Sequence, residues 1–196
     1  MKLARLGEPG FEKPVVVTDA GYLDLAGIVA DIDAAVLSPE GLDRIRAAIP
    51  SLPVLAGAAD LRVGAPIVRP SAVICIGLNY AAHAAESGSE LPKWPILFLK
   101  TPNTVGGPND PVDIPKNSTK TDWEVELGVV IGTRALYLDS PADAPAHIAG
   151  FLTANDLSER TFQLEISGGQ WSKGKSAPGF SPLGPWLVTT DEIDPS

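Results

Sequence analysis

Thr121-Asp122-Trp123-Glu124-Val125-Glu126-Leu127-Gly128-Val129-Val130-Ile131-Gly132 alternates acidic and apolar residues and then passes into an aliphatic run. Successive side chains of a strand point to opposite faces, so Glu124 and Glu126 share one face and Trp123, Val125 and Leu127 the other. The apolar face is expected to pack on a core. Val129-Val130-Ile131 reads as buried on both sides, which places the two glutamates where the strand emerges into a cleft. Two carboxylates converging there repel each other, and burial adds to the cost unless a cation lies between them. A divalent metal meets that requirement. An edge strand with a solvated acidic face is the plainer reading of an isolated Glu-x-Glu, and the other motifs of the chain decide between the two.

The chain has 196 residues, 44% of them hydrophobic, which suffices for one domain or one domain with a small appendage around a sizeable core. A net charge of −9, from 24 acidic against 15 basic residues, provides no basic footprint for nucleic acid or anionic membranes. A small-molecule partner is expected instead. Cys75 is the single cysteine, which excludes an intramolecular disulfide, and within Ala72-Val73-Ile74-Cys75-Ile76 it reads as a small hydrophobe. The first residues lack the apolar segment of a signal peptide, and no uncharged run reaches the roughly 20 residues that span a bilayer. The expected compartment is the cytoplasm.

Residues 1–65 read as a small N-terminal α+β domain. Val15-Val16-Val17-Thr18 and Tyr22-Leu23-Asp24-Leu25 flank a hairpin turn at Asp19-Ala20-Gly21. Ser38-Pro39-Glu40 supplies an N-cap, a first-turn proline and an acidic first turn to a helix whose Leu42, Ile45 and Ile49 share one face. The Pro- and Gly-rich stretch from 50 to 70 marks the boundary, and residues 66–196 form the second, catalytic part.

That part opens with a strand at Ala72–Ile76. Asn79 then caps a short helix that Gly88 ends, so His83 and Glu86, three apart, lie on one face. A carboxylate beside an imidazole fixes its tautomer and raises its basicity, the arrangement of a general base. Pro95–Lys100 reads as another buried strand, followed by a long loop with at most a short strand near Val112–Ile114. Ser140 and Asp143 form a capping box. The strand Phe151–Asn155 delivers Asp156 at its tip, the natural third oxygen ligand beside Glu124 and Glu126. Carboxylates without thiolates or imidazoles select hard cations, Mg²⁺ or Mn²⁺, over zinc.

Gly169-Gln170-Trp171-Ser172-Lys173-Gly174-Lys175-Ser176 matches the phosphate-loop pattern, but such a loop must open a helix. Pro178, Pro182 and Pro185 exclude one of useful length. Lys175 is therefore expected on an extended loop, as a positive charge for a developing oxyanion.

Gly77-Leu78-Asn79-Tyr80-x-x-His83-x-x-Glu86, Asp122-Trp123-Glu124-Val125-Glu126-Leu127, Asn155-Asp156-x-Ser158-x-Arg160-x-x-Gln163 and Gln170-Trp171-x-x-Gly174-Lys175-Ser176 occur in an order that resembles the fumarylacetoacetate hydrolase family. The likeness is strongest to its ureidoglycolate lyase and 2,4-diketo-3-deoxy sugar-acid hydrolase branch. It implies a mainly β fold with short helices (α+β), a mixed β-roll or sandwich with a small N-terminal domain, as a homodimer. It also implies Glu124, Glu126 and Asp156 as Mg²⁺ or Mn²⁺ ligands, His83 and Glu86 as the water-activating dyad, and Lys175 with Gln163 holding substrate oxygens. The implied activity is metal-dependent hydrolysis of a C–C bond in a 2-oxo or 2,4-dioxo carboxylic acid. Isomerase, tautomerase or decarboxylase activity, an inactive fragment, and a nucleotide binder are the alternatives. Family members continue into further strands beyond the point matched by Trp186–Ser196, so an incomplete C-terminal part is expected, with the sheet left open. Leu78 stands where acylpyruvases carry arginine, which argues against that substrate group.

Overall fold

In the computed structural model of the chain the described residues are 1–86, 88 and 90–193, with the backbone alone for His83. The lead-in builds an antiparallel meander of β1 (Lys2–Leu6), β2 (Lys13–Thr18) and β3 (Gly21–Asp24). Its tight turn closes Thr18 on Gly21, whose φ of +115° is open to glycine and strained for other residues. Helix α1 (Pro39–Ala48) begins where its cap predicts: Ser38 Oγ accepts the Gly41 N–H at 3.1 Å, and Leu42 and Ile45 are buried.

The second part contributes β4 (Val73–Gly77), α2 (Ala81–Glu86), β5 (Ile96–Lys100), β6 (Val105–Gly106), β7 (Thr121–Asp122) and β8 (Val125–Ile131). After a capped 3₁₀ turn at Pro141–His147 come β9 (Ile148–Asn155) and β10 (Ser158–Glu159). A π-helix at Thr161–Glu165, α3 (Trp171–Lys175), β11 (Ser181–Pro182) and β12 (Leu187–Thr189) complete the order.

The principal sheet has six strands in the order β3-β2-β1-β12-β9-β8, so it runs without a break from the lead-in to the acidic strand. β4 and β5 form a separate antiparallel hairpin, and β6 with β11 make a short parallel pair. The fold is mainly β with short helices, as expected. One core cluster joins Leu3, Val16 and Leu187 of the sheet to Ile32, Leu42 and Ile45 beneath it, and reaches Val130 and Leu152 at its far end. Each such side chain contributes about 1.5–3 kcal/mol by leaving water, before conformational entropy is set against it. No helix among the described residues is long and apolar enough to cross a membrane.

Four expectations are corrected. The alternation in β8 is real, but its apolar face is not packed: Val125, Leu127, Val129 and Ile131 are 47–69% exposed and Val130 alone is buried. β8 is an edge strand, and an aliphatic run is buried only where another element covers it. The hairpin repeats this, with Ile74, Ile76, Leu97 and Leu99 exposed on one face. In the long loop the extended pair is Val105–Gly106, against Ser181–Pro182; the segment around Val112–Ile114, between Pro111 and Pro115, forms no strand. Finally, Lys175 ends the short helix α3 instead of lying on an extended loop. The residues after it are irregular, so no long helix follows the phosphate-loop pattern.

Candidate active site

β8 and β9 pair in a register that sets Val125 opposite Asn155, so Glu124 and Asp156 leave the sheet side by side. The Asp156 N–H donates to the Glu124 carbonyl at 2.9 Å, and Asn155 Oδ1 accepts the Glu124 N–H at 3.3 Å. A one-residue slip of this register would turn one carboxylate to the opposite face.

Lys175 lies between them. Its ammonium donates to Asp156 Oδ2 at 2.7 Å, Ser158 Oγ at 2.6 Å and Glu124 Oε1 at 3.0 Å, and stands 5.2 Å from the centre of the Phe98 ring. Its side chain is 2% exposed. Two glycines let α3 come this close. A Cβ on Gly174 would lie 2.5 Å from the Gln163 nitrogen, and one on Gly77 would lie 2.3 Å from the Trp171 ring, which packs edge-on against Phe98. Gln163 and Lys175 are thus brought together because the π-helix and α3 touch backbone to backbone.

Arg160 closes the other side. It grips Asp122 Oδ2 through Nε and Nη2 at 3.0 and 2.7 Å, while Nη1 reaches Glu124 Oε1 at 2.7 Å and Gln163 Oε1 at 2.8 Å. The Arg160 hydrogen bond holds the Asp122 carboxyl below its ordinary range. Burial alone would lower the Arg160 pKa, but hydrogen bonds to Asp122 and Glu124 outweigh it and the pKa is raised.

Lys100, at the end of β5, is a third cation of the cluster and binds Asp156 Oδ1 at 2.5 Å. Burial pushes its pKa down against the pull of Asp156. Burial also raises the Cys75 thiol to about 11, with Asp156 adding to the shift, so Cys75 is a neutral thiol near pH 7, as expected of a small hydrophobe.

Glu124, Glu126, Asp156, Gln163 and Lys175 line one cavity of about 960 Å³. Glu86 lines a second, of about 830 Å³, which shares Glu124, Glu126, Tyr80 and Arg160 with the first. The acidic strand therefore borders both, with the lysines on one side and α2 on the other. α2 forms where expected, after Leu78 at a φ of 50°, a left-handed conformation uncommon for leucine. The His83 side chain, half of the expected dyad, lies outside the described residues.

Among the described residues no three acidic, imidazole or thiol groups converge tightly enough to cage a metal as they stand. The Lys175 ammonium, touching both Asp156 and Glu124, occupies the position of positive charge between them. The donor set still suits a hard cation: three carboxylates on one cavity, whose thiol, Cys75, is held neutral by burial. The sequence motifs assign no role to Lys100, whose one signal is a charged residue closing the apolar strand Ile96-Leu97-Phe98-Leu99. Ser158 stands in the third motif, where nothing in the sequence marks its hydroxyl as an acceptor for Lys175.

The family model described as the fumarylacetoacetate hydrolase C-terminal domain matches residues 72–196. A protein of Burkholderia cenocepacia named as a candidate hydrolase is 51% identical over 195 residues, covering 98% of this chain and 68% of that protein. Fumarylacetoacetate hydrolase from psychrophilic Exiguobacterium antarcticum superposes with a TM-score of 0.79 at 30% identity, covering 100% of this chain and 69% of that one. For 5-carboxymethyl-2-hydroxymuconate delta-isomerase from Mycobacterium smegmatis the TM-score is 0.70 at 33% identity, covering 100% and 68%. The chain belongs to the fumarylacetoacetate hydrolase family, and it spans about two thirds of the length of these relatives.

Proposed function

We propose that the protein is a divalent-metal-dependent hydrolase that breaks a C–C bond in a 2-oxo or 2,4-dioxo carboxylic acid. The observation that carries this reading is the Lys175 ammonium shared between Asp156 and Glu124 inside a cavity that Glu126 also lines. Such a site is arranged to exchange charge with an anionic ligand. Mg²⁺ or Mn²⁺ held by Glu124, Glu126 and Asp156 would supply Lewis-acid polarisation of the substrate's carboxylate and keto oxygens.

The chain's own groups do the rest. Lys175 donates to the oxyanion that develops at the reacting carbonyl, with Gln163 beside it to orient the substrate. His83, paired with Glu86 in the motif, removes a proton from water, whose oxygen bonds to the carbonyl carbon. The C–C electron pair then leaves on the 2-oxo-acid fragment as an enolate, which takes a proton. Isomerisation is the second reading, supported by isomerases among the structural neighbours, since moving a double bond passes through an enolate of the uncleaved substrate that the same groups would stabilise. We place the protein in the cytoplasm as a homodimer, for which the exposed aliphatic rows of β8 and the β4–β5 hairpin provide an apolar surface. Assays of acylpyruvates and diketo sugar acids with Mg²⁺ test the chemistry: C–C cleavage is expected, and double-bond migration without cleavage would favour the second reading.

A further inference from the structure

Lys100 has a side chain only 1% exposed, and a buried ammonium is tolerated where its charge and all its N–H groups are matched. Its three hydrogens have three acceptors: Asp156 Oδ1 at 2.5 Å, the Phe180 carbonyl at 2.6 Å and the Leu157 carbonyl at 3.2 Å. Those acceptors belong to the turn after β9 and to the approach to β11. A single ammonium therefore ties β5 to two other segments.

Two of these acceptors are main-chain carbonyls fixed by the fold, so the Lys100 ammonium cannot turn to a substrate oxygen. The acceptors of Lys175 are instead all side chains, and two of them, Asp156 and Glu124, line the cavity where a ligand can claim them. The influence of Lys100 passes through Asp156. With Oδ1 held by Lys100, Oδ2 is presented to Lys175, which in turn bonds Glu124 and Ser158. Lys100 also lines the cavity, but its ammonium is turned to the three acceptors, and in that position it sets the carboxylate plane and with it the place of the Lys175 ammonium.

We propose that Lys100 is a positioning residue that orients Asp156, and through it Lys175, without touching substrate. The task given to Lys175 rests on the function proposed above; the geometry assigned to Lys100 does not.

Lys100→Met keeps an unbranched stem and removes the charge and donors. Crystal structures of the wild type and this variant should show Asp156 rotated and the Lys175–Glu124 hydrogen bond lost. With a turned-over substrate, kcat should fall about 10- to 100-fold, the scale for removing a partner that orients a site group, and KM should stay within about twofold. An unchanged Asp156 and Lys175, with lowered thermal stability alone, would reduce Lys100 to a structural ion and overturn the proposal. So would a raised KM at constant kcat, the mark of direct substrate contact. If the variant does not fold, ¹⁵N NMR of the lysine ammonium groups in the wild type decides, with oxalate and Mg²⁺ as the probe. Oxalate should shift Lys175 and leave Lys100 in place; equal shifts would overturn the proposal. Inactivity of the wild type on every substrate would remove the proposed reaction, while the crystal comparison would still decide the role of Lys100.

Discussion

The arginine cluster of the lead-in and the lysine cluster at the end of β8 both bury charge, but they are built for different ends. Arg5 holds Asp31 through Nε and Nη2 at 2.6 and 2.8 Å and reaches Glu12 at 3.2 Å. Arg62 holds Asp110 at 2.6 and 2.5 Å, shares Glu12 at 3.0 Å, and donates to the Gly7 carbonyl. Planar forks meet carboxylates two bonds at a time, and none of these five side chains lines either cavity. The lysine cluster uses point charges instead. Lys175 divides its ammonium among three oxygens, two of them on Asp156 and Glu124, which line the cavity, and Glu124 Oε1 is shared between Lys175 and Arg160. The arginine cluster fastens the lead-in to the loop after β6, while the lysine cluster keeps polar groups that a ligand can claim.

If that contrast is right, removing a lysine-cluster charge costs activity and removing an arginine costs stability. Lys175→Met should lower kcat/KM by about 10²–10³-fold, the scale for losing an oxyanion donor, with circular dichroism unchanged. Loss of fold without a rate effect per folded molecule would erase the distinction. Glu124→Gln should weaken Mg²⁺ binding in calorimetry; unchanged affinity would remove Glu124 from the metal set. Arg5→Met leaves Asp31 without its cation and Glu12 with Arg62 alone, and should destabilise by about 3 kcal/mol in urea unfolding, the scale for breaking a buried pair. Its activity per folded molecule should match the wild type.

Smaller effects belong to the exposed pairs. Asp191 is held down to about 2, first by the Thr189 hydroxyl and also by Arg46. A depressed carboxyl stabilises the fold fully above its ordinary pKa of about 4, and that contribution fades as pH falls from there towards 2. Asp191→Asn should flatten the acid limb of the stability profile over that window. Lys120–Glu165 is half exposed on both sides. Lys120→Ala should therefore change stability by less than about 1 kcal/mol in the same urea titration.

The sequence carried some of this geometry and hid the rest. Alternation alone put Glu124 and Glu126 on one face, because a strand's period does not depend on its surroundings, and Asn155-Asp156 at the end of an apolar run announced a carboxylate at a strand tip. What sits on the opposite face is a property of the whole molecule. Val129-Val130-Ile131 consequently reads as core although β8 is an edge strand with its outer row exposed. Lys100 was hidden for a related reason: one cation after an aliphatic strand has no pattern, and its three acceptors lie 56 to 80 residues further along the chain. The placement of Lys175 on α3 was equally hidden, since it depends on Gly174 packing against the π-helix backbone.

The most direct test of the central claim is turnover of a panel of acylpyruvates and 2,4-diketo sugar acids, scored for release of the 2-oxo acid, with Mg²⁺ and with EDTA. The proposed function predicts Mg²⁺-dependent C–C cleavage of at least one member, lost on chelation and in Lys175→Met. Uniform inactivity with Mg²⁺ and Mn²⁺, or turnover indifferent to EDTA and to Lys175, would contradict it.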